Sequence, residues 1–244
     1  MRIASWEFSP SLWPTLATLL VLPLFISLGF WQLDRAEQKR TLHHEFETRQ
    51  AASEINLNKE DALRKKFDEL QWRKVSIEGA FSRDNNVLLD NQVERGVAGY
   101  FIYTPFKLKE QDAWVLVNRG WVPAGTSRDN PPGIVAAGEV LRIFGSVKPP
   151  PKTGILLAQN VVERVGGGMV RVQKLELAGI EKALNLELLP YVVRMDPESS
   201  AGFTRSWKVP GSGEEKHLGY AFQWFAMATA IFVIYLVLNI KRAK

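Results

Sequence analysis

Cysteine is absent from this chain of 244 residues. That excludes disulfides, thiolate metal sites, iron–sulfur clusters, a cysteine nucleophile and haem attachment through C-x-x-C-H. It leaves the compartment open, because an oxidising compartment permits disulfides without requiring them. Histidine is scarce, with three residues, and no H-E-x-x-H occurs. Ser146, Ser206 and Ser212 stand in no G-x-S-x-G context, so there is no nucleophile elbow. Charge of one sign is never massed. The net charge of +5 is spread along the chain, without the Lys/Arg block of a nucleic-acid groove. Internal repeats, low-complexity tracts and a βαβ rhythm are missing as well. Gly166-Gly167-Gly168 lacks the spacing of a phosphate loop and reads as a turn. An enzyme working through carboxylates that meet only in space stays open.

What the chain does have is two uncharged apolar runs, Leu12 to Trp31 and Leu218 to Ile240. At the rise of an α-helix each reaches about 30 Å, enough to cross a bilayer core. The first is longer than a signal-peptide core and ends in Gly29-Phe30-Trp31-Gln32 instead of a small-x-small cleavage site, so it reads as an uncleaved anchor. The segment between the runs is one domain's worth of chain. The expected organisation is an N-terminal tail (1–11), a first transmembrane helix (12–33), an extramembrane domain (34–216), a second transmembrane helix (217–240) and a basic tail (241–244). Lys241, Arg242 and Lys244 lean toward a cytoplasmic C-terminus. Arg35, Lys39 and Arg40 on the domain side nearly balance them.

Inside the domain, Leu33 to Gln50 reads as a helix continuing or restarting outside the membrane, and Lys59 to Leu70 as a second helix. Val75 to Gly79 alternates like a strand, and Val87 to Leu89 is a short strand ended by Asp90-Asn91. Tyr100 to Leu108 and Trp114 to Asn118 read as paired strands, with Val140 to Val147 and Tyr191 to Met195 as further ones. Asp129 to Gly133 is a turn, Val172 to Leu186 a helix, and Gly211-Ser212-Gly213 a flexible lead into the second membrane helix. The fold class is therefore a membrane protein in which two terminal transmembrane helices flank a mainly antiparallel β domain, α+β and barrel-like.

The second apolar run opens with His217, and His217, Tyr220 or Ala221, and Trp224 share one helix face. A neutral imidazole suits iron, and haem needs an apolar wall. Histidine and aromatic rings also gather at membrane interfaces as anchors, so spacing alone leaves both readings open. Gly29, Gln32 and Arg35 lie near one face of the first helix. Gly29 permits close approach of a helix or a flat ligand, and Gln32 is placed to bond Gln223 across the pair. Arg35 suits a carboxylate such as a haem propionate, or simple interfacial anchoring. His43 and His44 point about 100° apart on a helix and read as solvated surface.

Four pieces in order resemble the Surfeit locus protein 1 family of cytochrome c oxidase assembly factors. They are Leu28 to Arg35, then Gly99-Tyr100 with Thr104-Pro105-Phe106, then Val117 to Pro123, and His217 to Phe225. The resemblance implies a non-enzymatic role in maturing haem–copper oxidase by binding haem a transiently and assisting its insertion into the catalytic subunit. It implies His217 as the haem-iron ligand; Trp224 lies in the same motif, and packing on the ring is our own inference for it. Tyr220, Gly29, Gln32 and Arg35 complete the expected cofactor-binding set. Asn118, Arg119, Gly120 and Trp121 form a structural motif whose glycine marks a strand end with no room for a side chain or with positive φ. The implied partners are the oxidase catalytic subunit, haem a synthase and the lipid bilayer, with no nucleic acid. The implied location is a bacterial inner membrane, multi-pass, with the domain facing the periplasm. Val170-Arg171-Val172-Gln173-Lys174 departs from relatives that carry a tryptophan and an acidic residue there. Two rival readings stand beside this one. The first is a scaffold for the nascent oxidase subunit that never touches haem, using Ala226 and Ala230 for close packing. The second is a membrane-anchored envelope enzyme.

Overall fold

The computed structural model describes residues 2–3, 6–125, 132–134, 140–151 and 162–242. The elements run β1 (Arg2–Ile3), β2 (Trp6–Phe8), α1 (Leu12–Ala51), β3 (Ile55–Asn56), α2 (Glu60–Leu63), α3 (Phe67–Leu70), β4 (Lys74–Phe81), β5 (Asn86–Glu94) and β6 (Val97–Leu108). They continue through β7 (Trp114–Pro123), β8 (Leu141–Lys148), β9 (Glu163–Gly166), β10 (Met169–Val172), α4 (Leu177–Leu184), β11 (Leu188–Met195), α5 (Glu214–Asn239) and β12 (Ile240–Arg242). They form two compact units. One joins Met1–Glu47 to Lys208–Lys244, and the other is Thr48–Trp207.

The first unit is the helix pair. Both α1 and α5 are long and apolar enough to cross a membrane. Their apolar side chains mostly face outward, with Leu16, Leu20, Leu24, Phe222, Phe232 and Val237 all exposed. That surface suits lipid and would be unfavourable in water. The expected continuation of the first helix takes the form of one unbroken helix of 40 residues. At the other end of the pair the two tails become a small sheet. Residues Trp6 to Phe8 of β2 pair antiparallel with Arg242 to Ile240 of β12, and β1 pairs with β2. Asn239 is fully buried, and its Oδ1 accepts the Ser11 backbone N–H at 2.7 Å. The Ser9 N–H donates to the Asn239 carbonyl at 2.8 Å, so one residue at the end of α5 pairs the backbone between β2 and α1.

The second unit is a barrel. Strands β4, β8, β11, β7 and β6 are neighbours in that order, and β6 pairs back onto β4, which closes the ring. Alternate residues line its interior: Val75, Ile77 and Phe81 from β4, Phe106 and Leu108 from β6, and Val115 and Val117 from β7. Ile143 and Val147 of β8 and Tyr191, Val193 and Met195 of β11 complete the lining, with Leu57, Ala62 and Leu70 packed into the same core. The period of two is the pleat itself, and each fully buried aliphatic side chain contributes about 1.5–3 kcal/mol. Beyond the ring, β5, β10 and β9 extend the sheet from β6. Helix α4 packs Ile180 and Leu184 against Val170, Val172, Leu116 and Val192 on the outer face.

Three expectations needed correction. Val172 to Leu186 is not one helix. Val170 and Val172 belong to β10, which pairs parallel with β5, and β-branched side chains with a sheet neighbour stay extended. Helix α4 then stops at Asn185, whose φ of 52° is left-handed. Strand β5 does not end at Asp90-Asn91. It passes through a register shift there, with Asn91 at φ 60°, and resumes pairing at Gln92. Lys59 to Leu70 folds as two single turns, α2 and α3, instead of one helix. The Tyr100–Leu108 and Trp114–Asn118 strands pair as expected, and Gly167-Gly168 joins β9 to β10. Most of the Asp129 to Gly133 turn lies outside the described residues.

Candidate site on the helix pair

The buried stripe of α1 consists of Gly29, Gln32 and Ala36, three residues at helical spacing on one face. On α5 the buried positions include Ala221 and Ala228. Small residues on both sides let the helices meet closely. At Gly29 a Cβ would lie 2.6 Å from two ring carbons of Phe225. The close approach that glycine permits is therefore taken by the partner helix's own Phe225. Phe225 also meets Phe30 edge-on at 5.4 Å.

One turn further along, Gln32 and His217 meet. His217 Nδ1 lies 2.8 Å from Gln32 Oε1. An amide oxygen only accepts, so Nδ1 is the donor, and in a neutral imidazole that arrangement leaves the lone pair on Nε2. Gln32 is 9% exposed, whereas His217 is only half-buried. The ring is thus anchored on one nitrogen by a buried acceptor and stays within reach from outside.

The remaining expected site residues are distributed around this pair. Ala221, not Tyr220, faces the seam, and Tyr220 is exposed one turn on from His217. Trp224 packs on Phe25 with centroids 5.3 Å apart. It lies two turns along α5 from His217, about 10 Å of helix rise. The Arg35 guanidinium donates to Gln38 Oε1 at 2.8 Å and lies over Trp31, 5.7 Å from its centroid. It is on the exposed side of α1, so Ala36 takes the place expected for Arg35 on the packed face. The Gln32–Gln223 bond does not form, since Gln32 is committed to His217 and Gln223 is exposed. Ala226 and Ala230 are exposed on α5. His44 is exposed as expected, but His43 is half-buried. Its Nδ1 donates to the Pro210 carbonyl at 3.2 Å, and its Nε2 lies 3.3 Å from Glu47. Arg40 bonds both Glu37 and Glu214, tying the start of α5 to α1.

The motif Asn118-Arg119-Gly120-Trp121 belongs to the barrel and folds it. The β6–β7 register shifts here, with Ile102 opposite Gly120 and Tyr103 opposite Asn118. Gly120 takes φ 118°, and a Cβ there would sit 2.6 Å from the Thr204 carbonyl. Asn118 Oδ1 accepts the Gly120 N–H at 3.0 Å. Arg119 is 3% exposed. Its guanidinium lies between the rings of Phe81 and Phe203, at 4.7 and 4.8 Å, and its Nε donates to Ala201 O at 2.9 Å. Burial pulls its pKa down to about 10. The Trp121 indole N–H donates to the Gln92 carbonyl at 3.1 Å, and its backbone N–H donates to Thr204 O at 2.7 Å. In the segment Val170 to Lys174, Arg171 is buried and bonds Glu163 twice, at 3.0 and 2.8 Å.

Tertiary folding adds groups that sequence did not single out. Lys148 is buried on β8 over the Trp72 ring. Burial, with Arg194 nearby, pushes its pKa down to about 7. Tyr191 points its hydroxyl into the barrel interior and is pushed up to about 12 by burial. Neither carries a sequence motif. Alternation along β8 and β11 was the one signal that could have placed them.

Comparison with known proteins bears on the two helix motifs and the barrel motif together. A SURF1-like protein of Rickettsia felis is 28% identical over 228 residues, covering 91% of this chain and 95% of its own. The cytochrome oxidase assembly protein SHY1 of Saccharomyces cerevisiae is 30% identical over 133 residues, covering 53% of this chain and 34% of its own. Surfeit locus protein 1 of Arabidopsis thaliana is 32% identical over 124 residues, 46% of this chain and 34% of its own. The model of the SURF1 family matches residues 19–229. That span includes Gln32, the barrel with its Asn118–Trp121 bulge, and His217, and the chain belongs to the SURF1 family.

Proposed function

We propose that this protein serves cytochrome oxidase assembly by holding haem a as a transient cargo and assisting its insertion into the catalytic subunit. Family membership and the name of the yeast relative support the assembly role. The observation that carries the haem reading is the His217–Gln32 bond. A half-buried imidazole with one nitrogen anchored and the other bare has the chemistry of an axial iron ligand. One protein ligand at an accessible edge holds a cargo loosely enough to release it. Phe225 fills the seam at Gly29, so the macrocycle would lie outside that seam. Tyr220 offers the nearer exposed ring, and Trp224 lies deeper. Arg35, on the outer side of α1, would reach a propionate only by leaving Gln38 and Trp31. Haem a synthase is the proposed donor and the oxidase catalytic subunit the acceptor. Lys241 and Arg242 after α5 favour a cytoplasmic C-terminus. The proposed setting is therefore a bacterial inner membrane crossed twice, with the barrel in the periplasm.

The test is a pyridine-haemochrome spectrum of wild type and His217→Ala purified from a host that makes haem a. Haem a in the wild type and its loss in a variant that still inserts in the membrane is the expected result. Full haem occupancy in His217→Ala would overturn the ligand assignment. No haem in either protein would favour a scaffold, for which the exposed Ala226–Ala230 stripe on α5 offers a helix-docking face.

A further inference from the structure

Gln32 and His217 are separated by 185 positions in the chain, yet they share one hydrogen bond. Neutral imidazole has one N–H and one bare nitrogen, and the partner of the first decides which nitrogen is left for a metal. Gln32 is well suited to make that choice. It sits in the middle of an unbroken helix, between the buried Gly29 and Ala36, and is itself almost fully buried. Its position is set by helix packing. His217 is in the first turn of α5 and only part-buried, so its ring has more room to turn than the Gln32 amide. Of the two residues, the glutamine is therefore the fixed one and the histidine the one that needs fixing.

We propose that Gln32 is a positioning residue for His217, its amide oxygen accepting the Nδ1–H so that Nε2 is the nitrogen presented for coordination. The inference deepens the haem reading and rests on it for its purpose, though not for its chemistry. Ligating histidines commonly donate their other N–H to an oxygen, which orients the ring and raises its basicity. Here the helix pair provides that oxygen from within itself, before any cargo arrives. The site is thus preorganised, and the Leu28–Arg35 and His217–Phe225 motifs form a single device.

The test uses the full chain in lipid nanodiscs with 15N-labelled histidine. His217→Ala assigns the His217 signals against those of His43 and His44. In the wild type, Nδ1 is expected to be protonated and Nε2 bare. Gln32→Leu keeps the volume and removes the acceptor, so the proton should redistribute between the two nitrogens. Gln32→Glu restores an acceptor and should restore the wild-type pattern. In parallel, titration with haemin should weaken by about 10–100-fold in Gln32→Leu and recover in Gln32→Glu. A wild-type ring protonated at Nε2, or a pattern that Gln32→Leu leaves unmoved, overturns the proposal whatever the haem result. The expected nitrogen pattern with no haemin binding in any protein supports the positioning role and overturns the haem reading instead.

Discussion

The helix pair and the barrel use polar residues in opposite ways. In the barrel, the polar residues of the Asn118–Trp121 motif are inside. Arg119 is shut between two rings, Asn118 bonds the bulge that Gly120 makes, and Trp121 ties β7 to Gln92 and Thr204. These contacts are all made within the barrel unit and serve its fold. In the helix pair, His217 is hydrogen-bonded through Nδ1 to Gln32, its ring is only part-buried, and no partner of Nε2 is found among the described residues. Motifs of one family can therefore carry different meanings. Those buried in a β-sheet specify its shape, while the one at the helix seam keeps a part-buried imidazole at its edge.

Three perturbations sharpen that contrast, beyond the His217 and Gln32 variants above. The largest effect is expected at Gly120. Gly120→Val must place a β-branched residue at φ 118° against the Thr204 carbonyl. A loss of about 3 kcal/mol or more follows, read as a lower unfolding midpoint and faster proteolysis of the barrel. A variant with wild-type stability would show that the bulge is not required. Next is Gly29→Val, which drives a side chain into the Phe225 ring. It should cost about 1–3 kcal/mol in helix association and shift the His217 ring signals, while the barrel's unfolding stays put. Equal effects on both units would erase the distinction drawn here.

The smallest effect concerns Lys148. Its pKa falls from 10.5 to about 7 in the folded chain because burial opposes the charge. Between those values the unfolded chain binds the extra proton, so barrel stability rises with pH across that window. The ceiling for one proton is about 1.4 kcal/mol per pH unit. Lys148→Met should flatten the dependence of the unfolding midpoint on pH from about 7 to 10. A slope identical to wild type would mean that Lys148 is charged in the fold.

Much of this architecture was legible in the chain. Two uncharged apolar runs set the helix pair, because hydropathy over twenty residues is a property of composition and needs no partner. Alternation marked β4, β6, β7, β8 and β11 for the same reason. His217, Gly29 and Gln32 stood out by residue type and helical spacing, which need no partner to be read. The failures were of a different kind. Val172 looked like a helix start until β5 was beside it, and Asp90-Asn91 looked terminal because a bulge resembles an end when the opposite strand is not known. The tails on either side of the helices carried no sign that they would pair with each other.

The sequence alone determined the two apolar anchors and most of the barrel strands, and it singled out His217 as a candidate, since local periodicity and residue type are enough for these. Only the tertiary structure decided which residues meet. Barrel closure of β6 onto β4, the burial of Arg119 between Phe81 and Phe203, and the choice of His217 over Gln223 as the partner of Gln32 all join residues far apart in the chain. The physical reason is that a buried donor or acceptor must find a partner wherever packing places one, and packing is a property of the whole fold.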